Sequence, residues 1–199
     1  MKKVFLPLIA TSVLAVGADI NALQKECDDE KGASCYELGV LYDNAQEGVA
    51  QDYQKAAELY TKACELDSGA GCSNLGFLYD NGSGVAQDSK NAAQLYAKAC
   101  DMGDEAGCSN LGFAYANGRG VEQDYVKASE FYAKACDMGN GGGCYNLGNL
   151  YAQGRGVKED ANAAEKYLKK ACDMEPELAC DRYKEFYSKI TLTAFARQI

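Results

Sequence analysis

Ten cysteines and the absence of histidine frame the chemistry open to this 199-residue chain. The cysteines are Cys27, Cys35, Cys64, Cys72, Cys100, Cys108, Cys136, Cys144, Cys172 and Cys180, five pairs spaced eight residues apart. A thiol redox centre calls for Cys-x-x-Cys, where one thiolate is stabilised by its surroundings, and that motif does not occur. A structural zinc site takes ligands roughly two to four residues apart, often with histidine. Neither condition is met, so no metal and no cofactor are expected. A Ser-His-Asp triad cannot form without histidine. After the N-terminal apolar run, the serines are Ser34, Ser68, Ser73, Ser83, Ser89, Ser109, Ser129 and Ser188, and none has lysine three residues on. Structural disulfides are what remain for the cysteines.

The elements that place these pairs follow from a repeat. Successive cysteine pairs are offset by 37, 36, 36 and 36 residues. The text between them recurs as CYELGVLYDNA at 35–45, CSNLGFLYDNG at 72–82, CSNLGFAYANG at 108–118 and CYNLGNLYAQG at 144–154. Cys72, Leu75, Gly76 and Tyr79 fall at i, i+3, i+4 and i+7, the spacing of one helical face. Gly82 ends that helix in the left-handed conformation glycine tolerates. A loop follows, GSGVAQD, GRGVEQD or GRGVKED, in which Val85 packs beneath the turn. Asp52, Asp88, Asp124 and Asp160 then stand where an N-cap is needed. The second helices read AAELYTKAC, AAQLYAKAC and ASEFYAKAC. Gly76, Gly112 and Gly148 cost about 1 kcal/mol each against alanine inside a helix, which implies a packing reason.

One such hairpin cannot bury its own apolar face, whereas stacked hairpins can. The expected fold is therefore all-α, an α/α superhelix (solenoid) of disulfide-clipped helix hairpins. The division is 1–18 as a signal peptide, 19–34 as an N-terminal capping helix and turn, and 35–179 as four repeats (35–71, 72–107, 108–143, 144–179). Residues 180–199 form a C-terminal capping helix, with Phe186, Ile190, Leu192 and Phe195 closing the last repeat and Pro176 in the turn before it. Cys64 ends one helix and Cys72 begins the next, with the polar turn ELDSGAG between. Antiparallel helices joined in this way predict the pairs 27–35, 64–72, 100–108, 136–144 and 172–180. Each closes a loop of about eight residues, which the chain-entropy estimate values at roughly 2.5 kcal/mol.

The N-terminus sets the compartment. Lys2 and Lys3 precede an apolar run from Val4 to Val16, and Val16-Gly17-Ala18 offers a small-residue cleavage site before Asp19. That order is a secretory signal peptide, and the run is well short of the ~20 residues a spanning helix needs. The expectation is a secreted or periplasmic protein, where disulfides persist. Removing residues 1–18 takes two lysines and no acid, so the net charge moves from −9 to −11. So acidic a surface repels nucleic acid and anionic lipid. No nucleic-acid partner and no membrane span are expected, and the protein is expected to be a monomer.

The pattern Leu-Gly-x-x-Tyr, then Gly-x-Gly-Val-x-x-Asp, then Ala-x-x-Tyr-x-Lys-Ala resembles the Sel1-like repeat, a relative of the tetratricopeptide repeat. With a cysteine pair eight residues apart, the chain is similar to the Helicobacter cysteine-rich proteins over roughly residues 20–185. The resemblance implies two functions: penicillin binding with weak β-lactamase activity, and secretion with interaction with host or cell-envelope partners. A β-lactamase needs an activated serine or a metal-bound hydroxide. The Ser-x-x-Lys and Lys-Thr-Gly signatures of the serine enzymes are absent, so the catalytic residues of any such hydrolysis go unnamed.

Repeat solenoids bind on their concave surface, here expected to be lined by the first helices. Away from Leu75 and Tyr79 the first helix carries Asn74, Phe77 and Asn81. The matching residues are Asn110, Phe113 and Asn117, then Asn146, Asn149 and Gln153, and Glu37, Val40 and Asn44 in the first repeat. An amide offers a donor and an acceptor together, so a ladder of Asn74, Asn110 and Asn146 could grip a peptide backbone, with Phe77 and Phe113 adding apolar contact. Asn81 and Asn117, near helix ends, could instead satisfy backbone groups. Arg119 and Arg155, in the Gly-x-Gly loops, are positive points able to meet a carboxylate. The leading expectation is a binding scaffold for a peptide, a protein or a peptidoglycan or β-lactam-type ligand, and the alternative is a weak β-lactamase.

Overall fold

The structure, a computed structural model, describes residues 20–196, apart from the side chains of residue 178 and residues 189–196. The signal-peptide segment 1–18 lies outside the described residues. So do the side chains of Ile190, Leu192 and Phe195, which were expected to cap the last repeat.

Ten helices and no strand occur among the described residues. They are α1 (20–28), α2 (Gly32–Asn44), α3 (Tyr53–Glu65), α4 (Gly69–Asn81) and α5 (Ser89–Asp101). Then come α6 (Glu105–Asn117), α7 (Tyr125–Asp137), α8 (Gly141–Gln153), α9 (Ala161–Met174) and α10 (Pro176–Ala196).

Local chemistry sets the ends. The carboxylates of Asp88, Asp124 and Asp160 each accept two backbone N–H groups of the helix they open, and Asp52 accepts one. Gly82, Gly118 and Gly154 close α4, α6 and α8 in the left-handed region. The first helices start three residues before their cysteine, earlier than the turn ELDSGAG suggests. Ser68, Asp104 and Asn140 cap them, each side chain accepting an N–H three residues on. Likewise Pro176 is the first residue of α10 and not part of a preceding turn. Proline has no N–H to waste there, and its fixed φ suits a helix start.

Each helix packs on the next, from α2 through α10, and the even-numbered helices also touch one another, α2 with α4, α4 with α6, α6 with α8 and α8 with α10. No odd-numbered helix from α3 onward approaches the next odd-numbered one so closely. The solenoid therefore curves toward the even-numbered row, which forms its inner face.

The core is a set of small clusters strung along the array. Gly39, Gly76 and Gly112 receive the rings of Tyr60, Tyr96 and Tyr132 from the following helix. A Cβ at Gly112 would stand 2.7 Å from Tyr132 Cδ1. In the last repeat Leu168 takes the tyrosine's place against Gly148. The Gly-x-Gly loop has a second task. Gly120 (φ +70) lies so close on the backbone of Ser89, at the start of the previous repeat's second helix, that no side chain fits, and Gly84 and Gly156 repeat this on Tyr53 and Tyr125.

Two further ties run between repeats. Disulfides join Cys27–Cys35, Cys64–Cys72, Cys100–Cys108, Cys136–Cys144 and Cys172–Cys180, with Cα atoms 4.4 to 4.6 Å apart. Each links the end of one second helix to the first turn of the next repeat. All ten cysteines are thereby consumed, which suits an oxidising, extracytoplasmic setting. In parallel, Lys98, Lys134 and Lys170 donate to the carbonyls of Cys64, Cys100 and Cys136, at 2.9, 3.0 and 2.9 Å. Each ammonium meets the negative end of the preceding repeat's second helix.

Candidate functional site

The inner face carries two equivalent pockets, one between α4 and α6 and one between α6 and α8. The first encloses about 290 Å³, lined chiefly by Phe77, Asp80, Tyr96, Asn110, Phe113 and Arg119. The second encloses about 270 Å³, lined chiefly by Phe113, Tyr125, Tyr132, Asn146, Asn149 and Arg155. Phe113 is the wall they share. Helical spacing explains the grouping: residues three and four apart share a helix face, so Asn110, Phe113, Ala114 and Asn117 project together.

The expected binding residues separate into three groups. Asn110, Asn146, Phe77 and Phe113 do line the pockets. The rings are not core: Phe77 is 55% and Phe113 44% exposed. Asn74 lies one repeat earlier, where its amide meets the Tyr60 hydroxyl. That hydroxyl donates to Asp43 at 3.0 Å. Asn81 and Asn117 also line the pockets, but their amides serve the helix, each donating to the carbonyl four residues back, at Phe77 and Phe113. Asn149 does the same to Tyr145 and also accepts from Arg182 Nε at 3.0 Å.

The two arginines stand in the pockets as struts between repeats. Arg119 reaches back to α4, its Nη2 lying 3.0 Å from Asp80 Oδ1 and 3.2 Å from the Asp80 carbonyl oxygen. Ser89 donates to the same carboxylate at 2.9 Å. Asp80 is thus buried but paired, as a buried charge must be. Arg155 lies over the ring of Tyr125 at 4.0 Å and bonds its hydroxyl.

Four residues that the sequence did not single out for the site belong to it: Asp80, Tyr96, Tyr125 and Tyr132. Burial pushes the hydroxyls of Tyr60, Tyr96 and Tyr132 well above the ordinary phenol range, so they stay neutral donors at physiological pH. Each tyrosine sits on a second helix at a core-spaced position, so its tip at the inner face is visible only in three dimensions. The available chemistry is recognition: amides and phenols for a polar backbone, exposed phenyl rings for apolar groups, and one arginine per pocket.

These features define a class, the α/α solenoid of helix hairpins with pockets along its inner row. Within it, the chain belongs to the Sel1 repeat family, whose signature matches residues 32–68, 69–104, 106–140 and 142–175. Among solved structures it is similar to a protective antigen of uropathogenic Escherichia coli with an SLR fold (31% identity, TM-score 0.72), covering 77% of this chain and 33% of that one. It is also similar to a Sel1 repeat protein from Oxalobacter formigenes (28% identity, TM-score 0.72), over 77% of this chain and 62% of that one. The cysteine rich protein B of Helicobacter pylori matches at 33% identity and TM-score 0.55, over 68% of this chain and 96% of that one. The chain thus spans a third of the first of these and under two thirds of the second. No curated protein matches its sequence.

Proposed function

We propose that the protein is an exported scaffold that grips an extended peptide, or a segment of a protein or peptidoglycan-like partner, across the inner faces of α4, α6 and α8. The observation that carries this reading is the repetition of one pocket design at a one-repeat interval, with exposed Phe77 beside the Asn110 amide in the first pocket and exposed Phe113 beside the Asn146 amide in the second. A rigid row of pockets at fixed spacing suits a ligand that is itself extended and repetitive. In the same reading, residues 1–18 direct export, and residues 19–34 and 180–199 cap four repeats in a monomer. A β-lactam ring would enter the same pockets. Binding is favoured over hydrolysis, because Asp80, the carboxylate lining the first pocket, is already engaged by Arg119 and Ser89.

The test is selection of displayed random peptides on the oxidised protein, followed by binding to Phe113→Ala and Asn146→Ala variants. Selected peptides are expected to weaken at least about tenfold on loss of either side chain. Phe113→Ala should meanwhile leave stability within about 0.5 kcal/mol, as for other surface substitutions. Peptides that bind both variants unchanged would remove the inner face from consideration. Sustained hydrolysis of a penicillin by rigorously purified protein would replace the scaffold reading with an enzymatic one. N-terminal sequencing of exported protein should begin at Asp19.

A further inference from the structure

We propose that the pocket between α6 and α8 takes a carboxylate group of the bound ligand, and that Arg155 receives it; the inference rests on the reading of the inner face as a peptide-binding surface. The two pockets are built alike but charged differently. In the first, Arg119 is held by Asp80, and Asp80 also accepts from Ser89. Thirty-six residues on, Arg155 stands in the place of Arg119, but Ala116 replaces Asp80 and Tyr125 replaces Ser89. The lining of the second pocket contains one arginine and no acid. In a chain with 29 acids against 20 bases, such a lining is where an anion meets least repulsion.

The geometry prepares Arg155 for this role. Its guanidinium lies over the Tyr125 ring at 4.0 Å, with one edge bonded to the Tyr125 hydroxyl and Nη1 3.4 Å from Gln153 Oε1. A guanidinium carries five N–H donors in a planar fork, so two neutral partners leave donors for a carboxylate. Stacking on an aromatic ring also fixes the plane in advance, which reduces the ordering cost on binding. A single fork matches a planar monoanionic carboxylate, whereas a phosphate dianion is better met by a cluster of cations. Phe113, on the opposite wall, takes the apolar part of the ligand, so the bound peptide has a direction. Its apolar side chain lies toward α6 and its carboxylate toward the loop that carries Arg155.

The experiment is a set of NMR titrations of the oxidised full chain, reading the side-chain N–H signals of Arg155 and Asn146 and the backbone N–H of Phe113. Three N-acetylated peptides serve as probes: Phe-Ala with a free C-terminal carboxylate, Phe-Ala amide, and Phe-Asp amide. The free-carboxylate peptide is expected to bind about tenfold tighter than Phe-Ala amide, the scale of one charge-assisted hydrogen-bond pair, and to shift Arg155. If Phe-Asp amide matches it, the source is a side-chain carboxylate as well as a chain end; if not, the pocket reads C-termini. Ala116→Asp restores the residue found at the equivalent Asp80, and should abolish the tenfold preference for carboxylate over amide. Equal binding of Phe-Ala carboxylate and amide, or a preference that survives Ala116→Asp, overturns the carboxylate assignment but leaves the peptide reading intact. No shift of Phe113 or Asn146 with any of the three overturns both.

Discussion

Gly112→Ala should destabilise the protein, although alanine is the better helix former. Gly112 is in mid-α6, and an added Cβ would lie 2.7, 2.9 and 3.1 Å from three atoms of the Tyr132 ring. Tyr132 is only 3% exposed and packs with Ala128, Leu147 and Leu150, so moving the ring disturbs the core around it. Forcing an extra methyl into such a site costs about 2–3 kcal/mol, against about 1 kcal/mol gained in helix propensity. The net expectation is a loss of about 1–2 kcal/mol. Gly142→Ala provides the opposite sign in the same fold. Gly142 is followed by the same Gly-Cys pair as Ala70 and Ala106, and its Cβ would meet only Asn140 Oδ1 within 4 Å, at 3.3 Å. It should therefore stabilise by up to about 1 kcal/mol. The assay is urea denaturation of the oxidised protein followed by far-UV circular dichroism, with an unchanged m-value as the condition for comparing variants. A double-mutant cycle with Tyr132→Ala completes it, because removing the ring should turn Gly112→Ala favourable. If Gly112→Ala proves as stable as the parent, or the cycle shows no coupling, the glycine is not there to admit the ring and the packing argument fails.

Two further perturbations probe the caps and the ties between repeats. Burial raises the pKa of Asp104 above the usual carboxylate range and neighbouring Glu105 adds to this, while the Gly107 N–H opposes it. The folded state then binds the proton more readily than the unfolded chain, so this group costs stability above its folded pKa. That cost fades as pH falls through the folded pKa toward the unfolded value. Asp104→Asn keeps the cap, as Asn140 does with the same 2.6 Å bond in the next repeat. It should therefore stabilise at neutral pH and lose its advantage in acid; an advantage that grows as pH falls would contradict the burial argument. Lys134→Met removes the 3.0 Å bond to the Cys100 carbonyl while keeping the apolar stem. It should cost about 1 kcal/mol in denaturant melts, and a variant equal to the parent would show that water serves that helix end as well.

What the residues determined by themselves is what short-range physics can reach. The helix period, the Asp88-type caps and the Gly82-type stops rest on hydrogen bonds between residues two to five apart. The disulfides were legible for the same reason, since a pair eight residues apart straddles one turn and has little choice of partner. The caps Ser68, Asp104 and Asn140 were equally local and could have been found as polar residues three before a Gly-Cys step. The tertiary structure decided what depends on how one repeat rotates onto the next. Arg119 reads in sequence as a loop cation, yet it is 39 residues from the Asp80 carbonyl it bonds, and Lys98 is 34 from that of Cys64. The pockets arise the same way, each needing two first helices and a loop from different repeats. No window of the sequence contains that angle between repeats; it is fixed only when Gly120 seats on Ser89 and Lys98 reaches the Cys64 carbonyl.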